Sequence, residues 1–563
     1  MFDFRNLPDA LAHGARQAPD SGLTIFDRRG REVGRRTYAE LLAAARQTAG
    51  RLAAHGALPG DRVVVALPTS FEWFDVWLGA ILLGALPVAT ASGAAVGASQ
   101  VQLDKLFGVV DNLDAALIVS TEGLAGKLAE RPAPGRPLPP CVTPTTLAAT
   151  TPASFLRAPA SPRDTAFLQL TSGSTGSPRA VQISHGGALH QARAIDFSVA
   201  APDRETSSGF IDRWVSWLPL YHDMGLISNI TLIVTGIDLH LMPPEAFLGR
   251  PRRWLELLST PERNLATAPN FGYQLCLDRL GPGDLEGLDL GNWQAAFCGA
   301  EMVRPETVAG FLDRFLDCGF RPERLRPCYG LAEATLEVTM DRAGRGPRTL
   351  AVPTGTPDSG FEMSEVFCLG EPVIDARVGI AAPGGQLLPE GQVGEVRVQS
   401  PSLFTGYYND SEATAETLVG GWLRTGDLGF MQAGELYLTG RLKDLLIVRG
   451  ENIMPHELEW MAESASGGGG LERAAAFSLS RGGQGEEVIL VLETSVKDPE
   501  RLEPMLRDLR VEVGREFGLA LADLVPVRRG QIPKTTSGKV QRGRARDLYL
   551  AGELQRLPGE PPS

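Results

Sequence analysis

Along the first part of the chain, apolar residues alternate between two spacings. From Thr37, TYAELLAAARQTAGRLAAHG sets them at the spacing of a helix face and closes on glycine, and DRVVVALP follows as a short continuous apolar run, the pattern of a buried strand. The strongest apolar run, VWLGAILLGALPVATA from Val76, is interrupted by Gly79, Gly84 and Pro87 and falls short of the ~20 residues a spanning helix needs, so it predicts a buried helix running into a buried strand. KLFGVVDNLDAALIVST repeats the pairing. Strands separated by helices of this length predict parallel sheet layers covered by helices, an α/β fold.

The Pro-, Ala- and Thr-rich stretch from Glu130 to Arg163 is expected to be a long surface excursion within one large domain, because the same pattern resumes after it. From Cys368 to Val398 the texture changes to short β-like runs with turns, which predicts a small barrel-like part or twisted antiparallel layer. Near Gly440 it changes again. HELEWMAESA reads as a helix, SGGGG as a break, AAAFSLS and EEVILVLETS as strands, and RLEPMLRDLRVEVGREFG as a long helix. The expected division is a large N-terminal domain of layered sheets and helices over residues 1–440 and a small mobile α+β domain over 441–563. No internal repeat is apparent.

At 563 residues, more than one domain is expected, and 43% hydrophobic with 21% charged residues is the balance of a packed protein. A net charge of −13 argues against a nucleic-acid partner, since neutralising phosphates needs a broad basic face. The six cysteines form no CxxC pair and read as reduced, mostly buried thiols. MFDFRNLPDALAHGARQ lacks the charged start and apolar core of a signal peptide, so a cytoplasmic enzyme without membrane insertion is expected.

One stretch suggests chemistry. In QLTSGSTGSPRAVQISH, from Gln169, the glycines let backbone N–H groups converge on an anion, and the hydroxyls of Thr171, Ser172, Ser174 and Thr175 add donors beside Gly173 and Gly176. By itself such a run is as readily a solvated turn. It is not GxxxxGK[ST] either, because Gly176 is followed by Ser-Pro-Arg, so an ordinary P-loop NTPase is disfavoured.

The order of further strings adds to this. TSGSTGSPRAV, WLPLYHDMGLI from Trp217, FCGAE from Phe297, CYGLAEATLEVT from Cys328, GWLRTGDLGF from Gly421, GRLKDLLIVRGENIMPHELE from Gly440 and PKTTSGKVQR from Pro533 together resemble the adenylate-forming superfamily of acyl-CoA synthetases, luciferases and adenylation domains. YGLAEATL, LMPPEAFLGRPRRWLELL and TAPNFGYQLC resemble the fatty acyl-AMP ligases more particularly. The resemblance implies that a carboxylic acid attacks the α-phosphate of ATP, with Mg²⁺ present, and that a thiol then displaces AMP.

It also implies roles. Lys539 matches the catalytic lysine that bridges acid and α-phosphate, and Glu333 the carboxylate that holds Mg²⁺. Asp427 matches the ribose ligand, Arg441 an arginine near ribose and phosphate, and Tyr329, beside Gly330, the ring stacked on adenine. Gly299, Ala300 and Glu301 match the adenine edge. His222 matches a residue where nucleotide and acyl pockets meet, with Asp223, Met224, Asn270, Phe271 and Gly272 on the substrate side, and Lys443 matches the hinge of the small domain. Each type has an ordinary structural use as well: a solvated lysine in a basic tail, a capping glutamate, a core tyrosine. His185 and Lys534 match nothing.

Two positions depart from most relatives: Arg179 stands for the usual lysine after the phosphate loop, and Ala332 for a threonine. The segment from Glu333 to Gly370 looks like a shortened form of the insertion with which fatty acyl-AMP ligases hamper CoA use. That implies a phosphopantetheinylated acyl carrier protein as the thiol partner, and a basic tail around Lys539 suits an acidic carrier. The reading is an acyl-AMP ligase loading a fatty acid onto a carrier. The alternatives are an aryl or amino-substituted starter acid, an acyl-CoA synthetase, or a non-catalytic binding protein, against which intact Lys539, Glu333 and Asp427 argue.

Overall fold

The computed structural model describes residues 4–92, 100–130, 138–155, 160–171, 178–200, 210–354, 362–448, 451–464, 470–480, 486–535 and 539–557. The helix expected after Thr37 runs Tyr38–Ala54, and its start is fixed by a capping box in which the Thr37 hydroxyl accepts from Glu40 N while the Glu40 carboxylate accepts from Thr37 N. Ser70 caps the next helix, Phe71–Leu83, which ends on left-handed Gly84 and leads into the strand Leu86–Ala89. The helix-to-strand reading of that apolar run is borne out.

Six strands form one layer in the order Cys141–Val142, Leu117–Ser120, Arg62–Ala66, Leu86–Ala89, Thr165–Leu170 and Ala180–Ser184. All neighbours are parallel except the last two, which make an antiparallel pair on either side of the Thr/Ser/Gly loop. The stretch after Glu130 is therefore more than a surface excursion. Its Cys141–Val142 segment forms the edge strand of this layer, and Thr143 caps a short helix, Pro144–Ala149.

A second, nine-stranded layer has a parallel centre: Leu325–Gly330, Trp293–Gly299, Asn264–Pro269, Arg213–Ser216, Asp238–Leu241 and Gly22–Phe26. Strands buried this thoroughly need cover on their faces. The helix His185–Val199 lies between the layers, touching both the Ala180–Ser184 strand of the first and the Glu337–Met340 strand of the second, and it packs beside the helix Asp223–Thr235. One apolar core runs continuously from Leu7 to Leu436.

The antiparallel layer expected after Cys368 is a five-stranded sheet of Arg377–Ala381, Gly394–Gln399, Leu418–Val419, Trp422–Gln432 and Glu435–Arg441, and among the described residues it is open. Beyond it, the strands Leu471–Ser480, Glu486–Thr494 and Asp523–Arg528 and the helices Pro455–Ser464, Pro499–Phe517 and Arg542–Leu550 enclose apolar clusters of their own, drawn from residues 446–557. All six cysteines are free thiols, four of them buried. Among the described residues no helix is long and apolar enough to cross a membrane.

Between Glu333 and Gly370 the chain makes an antiparallel hairpin, Thr349–Thr354 with Glu362–Phe367. Val352 and Val366 pack against Phe430 and Tyr437 of the five-stranded sheet. At the base, Arg348 reaches the buried carboxylates of Glu435 (2.7 Å) and Asp341 (3.0 Å), and Arg345 reaches Glu435 at 2.9 Å. The guanidinium of Arg348 holds the Glu435 carboxyl below its usual range. Arg348→Ala should cost about 2 kcal/mol, because two buried carboxylates lose a charged donor. The lowered pKa makes that stabilisation complete above the unfolded-state pKa and lost as the folded group protonates. In thermal melts of both proteins, the deficit should therefore be full at neutral pH and shrink below about pH 4.

Candidate active site

The edges of the layers and the C-terminal unit border one large cleft of about 2160 Å³. Asp427, on the strand Trp422–Gln432, sits directly opposite Arg441 in the antiparallel ladder, and the Arg441 Nε approaches its Oδ1 at 2.9 Å. The Tyr329 hydroxyl, at the end of a strand in the nine-stranded sheet, donates to Asp427 Oδ2 at 2.6 Å. Asp427 N donates to Thr425 Oγ1, so backbone and side chain are both fixed. Burial and the neighbouring carboxylate push the Tyr329 phenol well above its usual range, which keeps it a donor.

Glu333 lies on a single helical turn, Ala332–Ala334, and its Oε1 accepts from the Tyr407 hydroxyl at 2.7 Å. Burial raises its pKa, and the Asp223 charge adds to the rise. Thr335 closes the turn in the left-handed region, φ 71°, which is unfavourable for a β-branched residue, and its hydroxyl holds Ser402 O at 2.5 Å. Arg179 approaches the same corner, its guanidinium 5.2 Å from the Tyr407 ring centre. Thr171 lines the cleft, while Ser172, Gly173, Ser174, Thr175 and Gly176 lie outside the described residues.

Lys539 comes from the other side. Its N–H donates to Thr535 Oγ1 and its carbonyl accepts from Thr535 N, which tightens the turn carrying it. Burial lowers its pKa and Arg441 adds to that, while Asp223, Glu301 and Asp427 oppose, so the ammonium shares the cleft with all three carboxylates. His222 precedes the helix Asp223–Thr235. Burial takes its pKa down to about 4, Lys539 pushes the same way, and Asp223 opposes. At neutral pH the imidazole is uncharged.

Glu301 accepts from Phe271 N at 2.7 Å, and Asn270 Oδ1 accepts from Arg304 N at 3.0 Å, which ties the start of the helix Asn270–Arg279 to the loop after the strand Trp293–Gly299. Asp223, Met224, Asn270, Phe271, Ala300, Gly330 and Lys443 line the cleft with them, and Ala300 is itself left-handed, φ 66°. Gly299 and Gly272 do not line it. A Cβ on Gly299 would stand 2.8 Å from Cys328 O, and one on Gly272 2.8 Å from Trp217 Cζ2, so both are small for close packing. His185 is structural: its Nδ1 accepts from Leu7 N. Lys443 sits on the turn Leu442–Asp444 where the chain leaves the five-stranded sheet, and burial lowers its pKa.

Sequence reasoning missed Tyr407, whose partner Glu333 is set by folding alone. It also missed the contact across the cleft, where Arg304 pairs with Glu463 at 2.5 Å and lies 4.9 Å over the Trp460 ring. No cluster of three or more His, Cys, Asp or Glu side chains able to hold a metal ion occurs among the described residues. Glu333 does face the cleft as a single carboxylate, with Asp223 near it. That fits a Mg²⁺ bound through one or two carboxylates and substrate phosphates.

This is the arrangement of an adenylate-forming ligase. The pattern of the AMP-binding enzyme family matches residues 11–408, and the chain belongs to that family. It is 33% identical, over 98% of each chain, to the long-chain-fatty-acid–AMP ligase FadD26 of Mycobacterium tuberculosis. It is 32% identical to that organism's putative fatty-acid–CoA ligase fadD25, over 98% of this chain and 99% of the relative. A solved structure from studies of fatty acyl-adenylate ligases of E. coli and L. pneumophila superposes with a TM-score of 0.87 at 30% identity, covering 98% of this chain and 99% of that one. The resemblance to fatty acyl-AMP ligases is borne out.

One wall of the cleft carries a carboxyl that the strings do not explain. Burial pushes Glu337 up to about 8, against the pull of Arg326. In the unfolded chain a glutamate ionises near 4.3, so the native state holds an extra proton between the two values. That contribution to stability is fully present below the unfolded pKa and is lost as pH rises through the folded one. Glu337→Gln does not titrate there. Its melting temperature should gain on wild type progressively from about pH 5 to pH 8, as differential scanning fluorimetry would record.

Proposed function

We propose that the protein activates a fatty acid as its acyl-adenylate and passes the acyl group to the phosphopantetheine thiol of an acyl carrier protein. The observation that carries the first half is the placement of Lys539 in one cleft with Asp427, Glu333 and His222. The acid's carboxylate attacks the α-phosphorus of ATP, the bond to the β-phosphate oxygen breaks, and pyrophosphate leaves. Negative charge gathers at phosphorus, and a fixed ammonium there stabilises the transition state more than the ground state.

In this reading Lys539 bridges the attacking carboxylate and the α-phosphate. Its reduced pKa reflects the cost of burying the charge, a cost that an anionic substrate removes. Asp427, already oriented by Tyr329 and Arg441, receives the ribose hydroxyls, and the Tyr329 ring flanks adenine. Neutral His222 presents an N–H or a lone pair to the acid without competing with Lys539 for charge. Glu333, held by Tyr407, would bind Mg²⁺, which supplies neutralisation of the phosphate charge when present.

Support for a carrier thiol over CoA comes from the Thr349–Thr354 and Glu362–Phe367 hairpin, which is packed on the five-stranded sheet and pinned by Arg345 and Arg348. An anchored segment there restricts how the residues after Arg441 can reposition. The same reading makes residues 441–563 a mobile unit that turns about Lys443 between the two half-reactions, with the Arg304–Glu463 contact made in the adenylation stage. The matched relatives carry both AMP-ligase and CoA-ligase names, so the thiol needs a direct test.

The protein, ATP, Mg²⁺ and a panel of fatty and aromatic acids are incubated and the sample is split between CoA and a phosphopantetheinylated carrier, with products read by mass spectrometry. Acyl-carrier without acyl-CoA is expected. Abundant acyl-CoA would make this an acyl-CoA synthetase. Lys539→Ala should lower kcat for pyrophosphate release by about 10²- to 10³-fold, the cost of removing one group aimed at transition-state charge. Its melting temperature should not fall, because Lys539 contributes to none of the apolar clusters and its removal relieves the cost of a buried charge.

A further inference from the structure

We propose that the acyl side of the cleft contains a polar subsite at Glu337 that takes a hydroxyl group on the substrate chain, so that the ligase activates a hydroxy-substituted acid in preference to the plain one. The inference rests on the ligase reading above and narrows its substrate.

The cleft lining includes Ile195, Met224, Trp214, Thr267, Phe297 and Cys328, surface suited to a hydrocarbon chain. Glu337 lines the same cleft and is only 6% exposed. It opens the strand Glu337–Met340, where a bulge opposite Tyr329 and Gly330 interrupts the regular alternation of side chains, and its surroundings include Cys328 and Arg326. Its Oε2 is buried without a hydrogen-bond partner. The indole Nε1 atoms of Trp214 and Trp217, both on the cleft lining, are buried without partners as well.

Buried polar atoms are nearly always paired, and each that is not is expensive. Leucine at position 337 would close the same wall without that cost. A carboxyl kept there, facing a cavity that must admit a chain, matches a ligand that brings its own hydrogen-bonding group.

Charge selects which group. Arg326, 1% exposed, has a guanidinium whose Nη1 donates to Ser198 O while Nε and Nη2 lack partners, so a buried cation already stands near Glu337. A substrate ammonium would add a second. Near neutral pH the Glu337 carboxyl is largely protonated and can donate one hydrogen bond and accept another. A hydroxyl offers the complement of both. An unsubstituted chain would leave the carboxyl unsatisfied, and sites built around a substrate hydroxyl discriminate strongly against analogues that lack it.

The test is ATP–pyrophosphate exchange with medium-chain acids of one length: unsubstituted, hydroxylated at each successive carbon, or ending in an amine. For wild type, one hydroxylated isomer should exceed the unsubstituted acid in kcat/KM by about tenfold or more. Glu337→Leu should bring that ratio near one by gaining on the unsubstituted acid, and Glu337→Gln, which still donates and accepts, should keep most of it. Equal or better use of the unsubstituted or amino acid by an active wild-type enzyme would overturn the subsite and leave the ligase reading standing. It would mean that a trapped water satisfies Glu337. Exchange with no acid at all would overturn both. Should the leucine variant fail to fold, the wild-type ratios and the glutamine variant decide the matter.

Discussion

Everything at the centre of this molecule depends on where one carboxylate is held. Asp427 takes a hydrogen bond from Tyr329, which belongs to the parallel sheet, and an ion pair from Arg441, which ends the antiparallel sheet. Two layers with different strand directions are thereby registered to each other at a polar contact, where distance and angle matter more than they do in an apolar core. Because Arg441 immediately precedes the turn Leu442–Asp444, the same ion pair fixes the point from which the C-terminal unit departs. A displacement of Asp427 would be felt at Tyr329 in the cleft and at the turn Leu442–Asp444 together.

The second constraint is charge. Lys539 is placed among Asp223, Glu301 and Asp427, and it is carried by a unit whose apolar clusters are separate from the main core. Its turn is held by Thr535, and the adjoining Arg542 joins Asp444 (2.7 Å) to Glu459 (2.6 Å), so the turn Leu442–Asp444 and the first and last helices of the unit share one guanidinium. The lysine is thus carried by elements that are tied to one another and packed on cores separate from that of the large layers.

Much of this was legible in the chain because the determinants are local. Thr37 with Glu40, Ser70 with Gly84, and the apolar runs between them specify helices and strands within a few residues, and the structure follows them. Asp427, Tyr329, Glu333 and Lys539 stand in short strings whose order resembles the adenylate-forming superfamily, and it is that resemblance that implies a shared cleft. What was not legible depends on partners far apart in sequence. Tyr407 meets Glu333 across 74 positions and Arg304 meets Glu463 across 159, and neither carries a local signature. The Cys141–Val142 edge strand escaped notice because two residues in a proline-rich stretch have no periodicity to read. Gly299 and Gly272 looked like ligand-facing glycines by their strings, and the close approach of Cys328 and Trp217 gives them a packing reason instead.

The contact across the cleft has the chemistry of a joint that can be remade. Arg304 meets Glu463 through an ion pair and Trp460 through its ring face, and His456 meets the same tryptophan edge-on, with ring centroids 4.7 Å apart. Partly exposed polar pairs contribute little individually, because water offers each group nearly the same interactions. An apolar seam of equal area would hold the unit against the large domain more strongly, and turning it would expose hydrophobic surface. A polar seam costs little to open and still defines one orientation when closed, since guanidinium, carboxylate and indole must meet at fixed angles. If, as proposed, Lys539 serves one half-reaction and withdraws for the next, such a joint lets it do so at little cost.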